Sequence, residues 1–318
     1  MGNVIQQRTL KNAIGCRGTG LHTGDKVMMT LRPGEPNTGI VFIRTDIPGA
    51  QSTIAASWRN ISHSHLSTTL KNHRGAVVGT VEHLLAAFAG CRIDNAVIEI
   101  NGPEVPIMDG SAAPFVFLIE CAGITEQAAA RRMITVHKPI SVGKKNGRVS
   151  LNPGTGFSIE FAIDFPNPTV SRQEYYFAHV DGAFKADLSR ARTFGFEHEV
   201  VEMRTAGLLR GGSLDNAIVV SGETVLNEGG LRYGDEFVRH KILDCLGDLY
   251  LAGAPLLGHV QGLRSGHKLN HQLLRALFAD ADAWSYVDAR SDDGFNGNQG
   301  PRLANGVVLK PPPIAATA

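Results

Sequence analysis

Apolar residues recur every three or four positions along DEFVRHKILDCLGDLYLAG, residues 235–253, which is the pattern of a helix. Charged residues open this segment and Gly253 closes it, as is typical of the two ends of a helix. His240, Asp244 and Asp248 are spaced four residues apart, so they share one side of the helix. Their neighbours on that side are largely apolar. The pattern therefore predicts a helix in apolar surroundings that carries one imidazole and two carboxylates in a row.

The same periodicity predicts further helices, and short runs of β-branched and alternating residues predict strands. The predicted helices are GTVEHLLAAFAG (79–90), SAAPFVFLIECAG (111–123), EHEVVEMRTAGLL (197–209) and GLRSGHKLNHQLLRALFAD (262–280), and the predicted strands are KVMMTLRP, GIVFIRTD, FSIEFAIDF and MITVHKPISV. Thr80 is expected to cap the first of these helices and Gly90 to end it. Strands lead each half of the chain and helices follow, which indicates α+β layers rather than a doubly wound parallel sheet.

A short internal repeat suggests two domains of the same plan. IDNAVI at 93–98 and LDNAIV at 214–219 share one pattern, and each lies between two helix-like segments. The polar stretch EQAAARR, 126–132, is expected to separate the two units. The predicted parts of the chain are therefore two α+β domains and a C-terminal tail, at 1–127, 128–295 and 296–318.

The composition describes a globular chain of enzyme size. With 318 residues, 43% of them hydrophobic, the chain can bury a large core. The net charge of +1 is spread along the sequence, so we expect no nucleic-acid partner. The N-terminus has no apolar signal-peptide core and no apolar run reaches membrane-spanning length, which favours a cytoplasmic location. Four widely spaced cysteines indicate reduced thiols, and without heptads we expect a monomer.

Two segments carry residues that could bind one metal ion. His240 and Asp244, four residues apart, can reach an ion from one helix face. His83 lies beside Glu82 at the start of an otherwise apolar helix. If His83 converges with the first pair, the set leaves a position open for water, which is typical of catalytic zinc; ferrous iron accepts the same ligands. Glu82 would then lie where a general base is needed.

Each of these residues also has a structural interpretation. His240 and Asp244 could form an ion pair on a solvated face, and His83 could be a hydrogen-bonded core histidine. His267 follows a Ser-Gly turn and is expected to be exposed at the entry to a helix. It could act there as an acid toward a leaving group or serve only as a surface or capping residue.

Taken together, the motifs resemble those of UDP-3-O-acyl-N-acetylglucosamine deacetylases, the zinc amidases of lipid A biosynthesis in Gram-negative bacteria. The matching segments, in order from QRTLKN at 6–11 to near residue 290, include TVEHL, IDNAVIEI, EVPIMDGSAAPFV, SRARTFGF, GGSLDNAIVV, VLNEGGLRYGDEFVRHKILDCLGDLYLAG and SGHKLN. The resemblance implies two α+β domains of like topology with helices packed between the two sheets. It also implies a passage for an acyl chain in the second domain, which we expect near 197–213.

The resemblance implies a reaction and a role for each residue of the predicted site. The reaction is hydrolysis of the N-acetyl group of UDP-3-O-(3-hydroxyacyl)-N-acetylglucosamine to the free amine and acetate. The zinc ligands of the family match His83, His240 and Asp244. Its general base matches Glu82, and its general acid, which protonates the departing amine, matches His267.

Further positions match residues that support this chemistry. Asp248 would hold His267 and stabilise its charge, and Thr193 would help to stabilise the oxyanion. Phe194 would pack against the substrate, and Lys241 would offer it positive charge. His22, in GLHTG, lies in a family motif without an assigned role.

Two other functions fit the same residues. A zinc amidase that acts on a different acylated sugar nucleotide would share the catalytic set. A metal-stabilised binding module would instead need a fourth protein ligand to close the site. One departure from the family pattern is Lys268, which would lower the pKa of His267 if the two charges approach each other.

Overall fold

A computed structural model describes residues 3–63 and 66–290, so the predicted tail at 296–318 lies outside the described residues. The α-helices in this part are α1 (Glu82–Cys91), α2 (Ala113–Ala122), α3 (Glu197–Thr205), α4 (Glu236–Tyr250) and α5 (His267–Ala279). The strands are β1 (Gln6–Leu10), β2 (Ile14–Thr19), β3 (Lys26–Pro33), β4 (Ile40–Arg44), β5 (Thr53–Ala55), β6 (Ile61–His63), β7 (Thr69–Lys71), β8 (Val77–Val78), β9 (Ala96–Ile100), β10 (Ile124–Ala130), β11 (Arg132–Val136), β12 (Ile140–Lys144), β13 (Gly147–Pro153), β14 (Phe157–Asp164), β15 (Arg172–Ala178), β16 (Phe194–Phe196), β17 (Ile218–Ser221), β18 (Thr224–Val225), β19 (Leu256–Leu263) and β20 (Trp284–Asp288). None of the helices in the described part has the length and apolar character that a membrane crossing requires.

Two sheets of the same topology organise the chain. The first has the strand order β2-β3-β9-β4-β5, in which β9 is antiparallel to β3 and parallel to β4. In the second, β19 is antiparallel to β13 and parallel to β14, and β12 and β15 continue the two sides. Strands β11 and β20 extend this second sheet. The predicted α+β fold with two domains of like topology is confirmed.

The helices form a layer between these sheets. Helix α2 packs on β2, helices α4 and α5 pack on the second sheet, and α1 packs on both α2 and α4. A Cβ atom at Gly247 would lie 2.0 Å from the carbonyl oxygen of Glu82, so only glycine allows α4 to approach α1 this closely. One continuous apolar core includes buried side chains from both domains.

The hexapeptide repeat does not mark the duplication. IDNAVI leads into β9, the central strand of the first sheet, but LDNAIV leads into β17, in the separate sheet β16-β17-β18. The topological counterpart of β9 is β19. Asn95 bonds across segments to Gly39, Gln7 and Gln127, whereas Asn216 bonds within its own loop. The similarity is therefore local, and the pairing of the two segments was wrong.

Most of the stretch at 126–132, where the boundary between the two units is expected, belongs to β10, which pairs with β1. Three local predictions need correction. The segment MITVHKPISV forms two strands, β11 and β12, not one. Thr80 has a φ of 54° and donates its hydroxyl to Glu104 at 2.8 Å instead of capping α1. Gly90 lies inside the last turn of α1, where an added Cβ atom would meet the ring of Phe184 at 2.1 Å.

Candidate active site

Helices α1 and α4 bring two histidines and one aspartate together between the domains. His83 is in the first turn of α1, and His240 and Asp244 lie on successive turns of α4. Their ligand atoms lie within 4.8 Å of one another, with Nε2 of His83 at 3.5 Å and Nε2 of His240 at 3.3 Å from Oδ1 of Asp244. All three residues are at most 4% exposed, which excludes the solvated ion pair considered for α4.

The donor set fits a divalent metal ion. Oδ1 of Asp244 is buried without a hydrogen-bond partner in the described residues, although it faces both imidazoles. Burial raises the pKa of Asp244, but His240 and Lys241 lower it well below its usual range, so the carboxylate is charged. Burial lowers the pKa of His240 to about 4, so its ring is neutral and offers a lone pair. One anionic oxygen and neutral imidazole nitrogens are the ligands that zinc prefers.

A hydrogen bond from the other ring nitrogen fixes the tautomer of His240. Its Nδ1–H donates to the carbonyl oxygen of Ala191 at 3.1 Å, so Nε2 keeps the free lone pair. The loop that supplies this carbonyl is anchored to α4, because the guanidinium and backbone N–H of Arg192 donate to the fully buried carboxylate of Glu236. Sequence reasoning missed this anchor, although an Arg in SRARTF and a Glu opening α4 were visible.

Glu82 and His267 face each other beside this cluster. Oε2 of Glu82 accepts the backbone N–H of Thr68 at 3.0 Å, and Oε1 lies 3.8 Å from Nε2 of His267. Burial raises the pKa of Glu82. Nε2 of His267 also lies 3.8 Å from Oδ2 of Asp244. The metal-binding cluster and the facing pair Glu82 and His267 therefore point into one space between α1, α4 and α5.

Asp248 determines the charge of His267. Oδ2 of Asp248 accepts from Nδ1 of His267 at 2.8 Å. Burial alone would lower the pKa of His267, but the carboxylates of Asp248 and Asp244 raise it to about 9. The expectation that His267 is exposed is therefore wrong, because the residue is buried. The effect of Lys268 on the pKa of His267 stays a prediction.

Three partners of Asp248 were not found from the sequence. Asn270 donates to Oδ2 at 2.8 Å, Thr68 donates its hydroxyl to Oδ1, and Nε2 of His271 lies 3.3 Å from Oδ1. Asn270 and His271 follow His267 by three and four positions, so helix periodicity was a usable signal for them. Thr68 lies just before β7 and carries no such signal.

The remaining predicted residues line a cavity of about 520 Å³ that opens onto the cluster. Thr193 and Phe194 form one wall, and the Phe194 ring packs at 4.9 Å from Phe237 and 6.4 Å from His240, between centroids. Nζ of Lys241 donates to Oδ2 of Asp244 at 2.7 Å, so its charge lies against the proposed ligand. The functional roles of these residues stay predictions.

His22 lies beside this space, in a neighbouring cavity of about 200 Å³ that shares Ser67 and Thr80 with the larger one. The backbone N–H of His22 donates to Glu104, the carboxylate that also accepts from Thr80. Burial lowers the pKa of the His22 ring, and the Glu104 carboxylate raises it in part. The structure assigns no role to this histidine.

Comparisons with known proteins identify the family. The family model LpxC, UDP-3-O-acyl N-acetylglycosamine deacetylase, matches residues 7–279. The chain belongs to this family. It is 53% identical over 288 residues to the UDP-3-O-acyl-N-acetylglucosamine deacetylase of Acidithiobacillus ferrooxidans, covering 90% of this chain and 94% of that protein. The deacetylases of Chromohalobacter salexigens and Saccharophagus degradans are 50% and 51% identical, each over 91% of this chain and 95% and 96% of their own.

Membership of the deacetylase family confirms the resemblance inferred from the motifs. The binding-module alternative would need a fourth protein ligand to close the metal site. In the described residues the candidate metal group has three members, His83, His240 and Asp244. A metal ion held by these three residues would keep a position open for water or substrate.

Proposed function

We propose that this chain hydrolyses the N-acetyl group of UDP-3-O-acyl-N-acetylglucosamine, releasing acetate and the free amine, as an early committed step of lipid A biosynthesis in a Gram-negative bacterium. The observation that carries the proposal is the meeting of His83, His240 and Asp244 beside Glu82 and His267 in a member of this deacetylase family. A cytoplasmic location, a monomeric state and a domain boundary at residues 127 and 128 stay predictions.

The proposed metal is Zn²⁺, which His83, His240 and Asp244 would hold. The chemistry that zinc supplies when bound is polarisation of a carbonyl group and a lowered pKa of water. Fe²⁺ accepts the same ligands. Lys241 keeps Asp244 anionic by donating to Oδ2, and this leaves Oδ1 available.

Glu82 and His267 divide the proton transfers. Glu82 takes a proton from the attacking water, and the N–H of Thr68 holds its other carboxylate oxygen in place. Asp248 fixes Nδ1 of His267, so Nε2 points into the cavity with a proton for the departing amine. The raised pKa of His267 keeps that proton on the ring near neutral pH.

Substrate contacts are proposed along the cavity wall. Thr193 would donate its hydroxyl to the oxyanion, and Phe194 would pack against the sugar or acyl chain. The acyl chain would follow β16 and α3, where Phe196 continues the cavity wall and Val201 is 61% exposed. This placement agrees with the region expected near 197–213.

Acetate release from UDP-3-O-(3-hydroxymyristoyl)-N-acetylglucosamine tests the proposal. The purified chain is assayed as isolated, after chelation, and after one equivalent of Zn²⁺ or Fe²⁺. We expect activity to disappear on chelation and to return with metal, and the better of the two ions identifies the preferred cofactor. Metal binding without acetate release would overturn the proposed substrate. Release from other N-acetylated sugar nucleotides at an equal rate would favour the broader amidase alternative.

A further inference from the structure

Asp248 contacts a second histidine that the proposed reaction does not use. His271, one turn beyond His267 on α5, is 1% exposed. Its Nε2 lies 3.0 Å from Oγ1 of Thr68 and 3.3 Å from Oδ1 of Asp248. The Thr68 hydroxyl donates its proton to Asp248, so its oxygen must accept from His271. His271 is therefore the Nε2–H tautomer in this arrangement.

Thr68 joins the two ends of the proposed proton chemistry. Its hydroxyl donates to Asp248, the partner of His267, and its backbone N–H donates to Oε2 of Glu82. Its carbonyl oxygen accepts from the N–H of Val81, at the start of α1. A group that fixes Thr68 therefore orients both Glu82 and Asp248.

Packing does not explain a histidine at position 271. Its Nδ1 is buried without a hydrogen-bond partner in the described part of the chain, and an unpaired buried polar group is destabilising. Of the other buried positions of α5, His267 and Asn270 bond to Asp248, and Leu273, Leu274 and Leu277 are apolar. A leucine at 271 would remove the unpaired nitrogen.

His259 provides a contrast outside the site. It is similarly buried on β19, but its Nδ1 lies 2.8 Å from the Ser158 hydroxyl and its Nε2 lies 3.5 Å from Glu160. Both of its ring nitrogens therefore have partners within the second sheet. His259 has a structural role that His271 lacks.

We propose that His271 is a positioning residue for the deacetylase reaction, which acts by donating Nε2–H to Thr68 and so holds Glu82 and the Asp248–His267 pair in register. The inference rests on the proposed function. It predicts that His271 supports turnover and contributes little to folding.

The test compares His271→Leu, His271→Gln and His259→Leu in the zinc-loaded full chain, with kcat, KM, zinc content and Tm measured for each. For His271→Leu we expect kcat to fall about 10-fold, the lower end for residues that orient a metal site, at unchanged KM and zinc content and without a lower Tm. Gln places an amide N–H close to the position of Nε2, so His271→Gln should restore most of kcat. His259→Leu should lower Tm and leave kcat unchanged.

The outcomes are separable. Wild-type kcat in His271→Leu would overturn the inference and leave the proposed function intact. A fall in kcat that comes with lower Tm and zinc content, and that Gln does not restore, would also overturn it, because the role would be structural. An inactive wild-type chain would overturn the proposed function and this inference together.

A second variant keeps the test independent of the folding of His271→Leu. Thr68→Val keeps the backbone N–H to Glu82 but removes the hydroxyl that links His271 to Asp248. Its kcat should fall to a similar extent, and combining it with His271→Leu should give no further loss, because both act on one hydrogen-bonded chain. Additive losses would contradict the proposed chain of contacts.

Discussion

Helix α1 and helix α4 occupy equivalent places in two domains of the same topology, but they carry their functional groups differently. On α1 the polar pair Glu82–His83 lies in the first turn and the remaining buried positions are apolar. On α4 three groups, His240, Asp244 and Asp248, follow one side over three turns. The shared topology therefore sets how the helices pack, whereas the position of a few polar residues within it sets the chemistry.

The two helices also differ in how their groups are held. The approach to α1 depends on backbone geometry, because Thr80, with a φ of 54°, turns the chain into the helix and is held by Glu104. The groups on α4 depend on side chains and carbonyls from elsewhere, such as Ala191 for His240 and His267 for Asp248. We therefore expect substitutions on α1 and on α4 to differ in their effects on metal binding and turnover.

The largest effect is expected from removing Asp244, the proposed carboxylate ligand on α4. Asp244→Ala should lose both metal and turnover, because it removes the anionic oxygen between the imidazoles and leaves Lys241 unpaired. Loss of metal chemistry worth several kcal/mol corresponds to a fall in kcat of about 1000-fold. Metal analysis after dialysis and acetate release check this. Asp235→Ala, which removes an ion pair with Arg239 at the start of the same helix, should retain both.

The adjacent pair on α1 should separate the two functions. Glu82→Gln keeps an acceptor for Thr68 but cannot take a proton, so kcat should fall about 100-fold with metal retained. His83→Ala, one residue along, should lose the metal itself. Metal content and kcat are measured on both variants. Equal turnover in Glu82→Gln and wild type would remove Glu82 as the base.

The contact between the domains should tolerate no side chain at Gly247. The backbone of α1 cannot move aside easily, so Gly247→Ala should lower the free energy of unfolding by about 3 kcal/mol. It should also lower kcat, since Glu82 is the residue displaced. Denaturant unfolding checks this, with Gly229→Ala as the control because an added Cβ there meets nothing within 4 Å. An unchanged Gly247→Ala would mean that the helices are not in this close contact.

The smallest effect expected is the pH dependence of stability in the chelated protein. Burial raises the pKa of Asp248, but the charge and hydrogen bond of His267 lower it well below its usual 3.8. Its contribution is therefore present above about pH 4 and is lost as the pH falls. The pKa of His267 is raised from 6.5 to about 9, so its contribution is complete below pH 6.5 and is lost as the pH rises through about 9.

Stability should therefore be greatest between about pH 4 and 6.5, with each group contributing on the order of 1 kcal/mol. Asp248→Asn should flatten both limbs of the curve, as followed by denaturant unfolding at several pH values. The exposed residue Glu35 offers a control, and Glu35→Gln should keep the shape of the wild-type curve. Unchanged limbs in Asp248→Asn would contradict the charged pair.

The site was predictable from the sequence where its groups repeat along a helix. His240, Asp244 and Asp248 follow the period of α4, so periodicity alone places them on one side. His83 has no periodic partner, and its meeting with α4 depends on how two helices about 150 residues apart pack. Only the family motifs indicated that contact before the structure did.

Contacts made by loops and by the main chain left no readable pattern. Thr68 acts through its N–H as much as through its hydroxyl, and almost any residue could supply the former. The same limit explains the misplaced repeat: the Asn95 and Asn216 segments look alike as hexapeptides, whereas β9 and β19 share a place in the topology without a shared motif. The bounds of one strand were readable from the sequence, because β3 spans Lys26–Pro33 as predicted.

The division of the proposed ligands between α1 and α4 has a consequence for assembly. His83 belongs to the first domain and His240 and Asp244 to the second, so an ion held by all three would bind with high affinity only after the domains have docked around Gly247. Each bound ion then favours the docked state by mass action. The time course of metal uptake during refolding would therefore report when the domains dock, as a step separate from the earlier formation of either sheet.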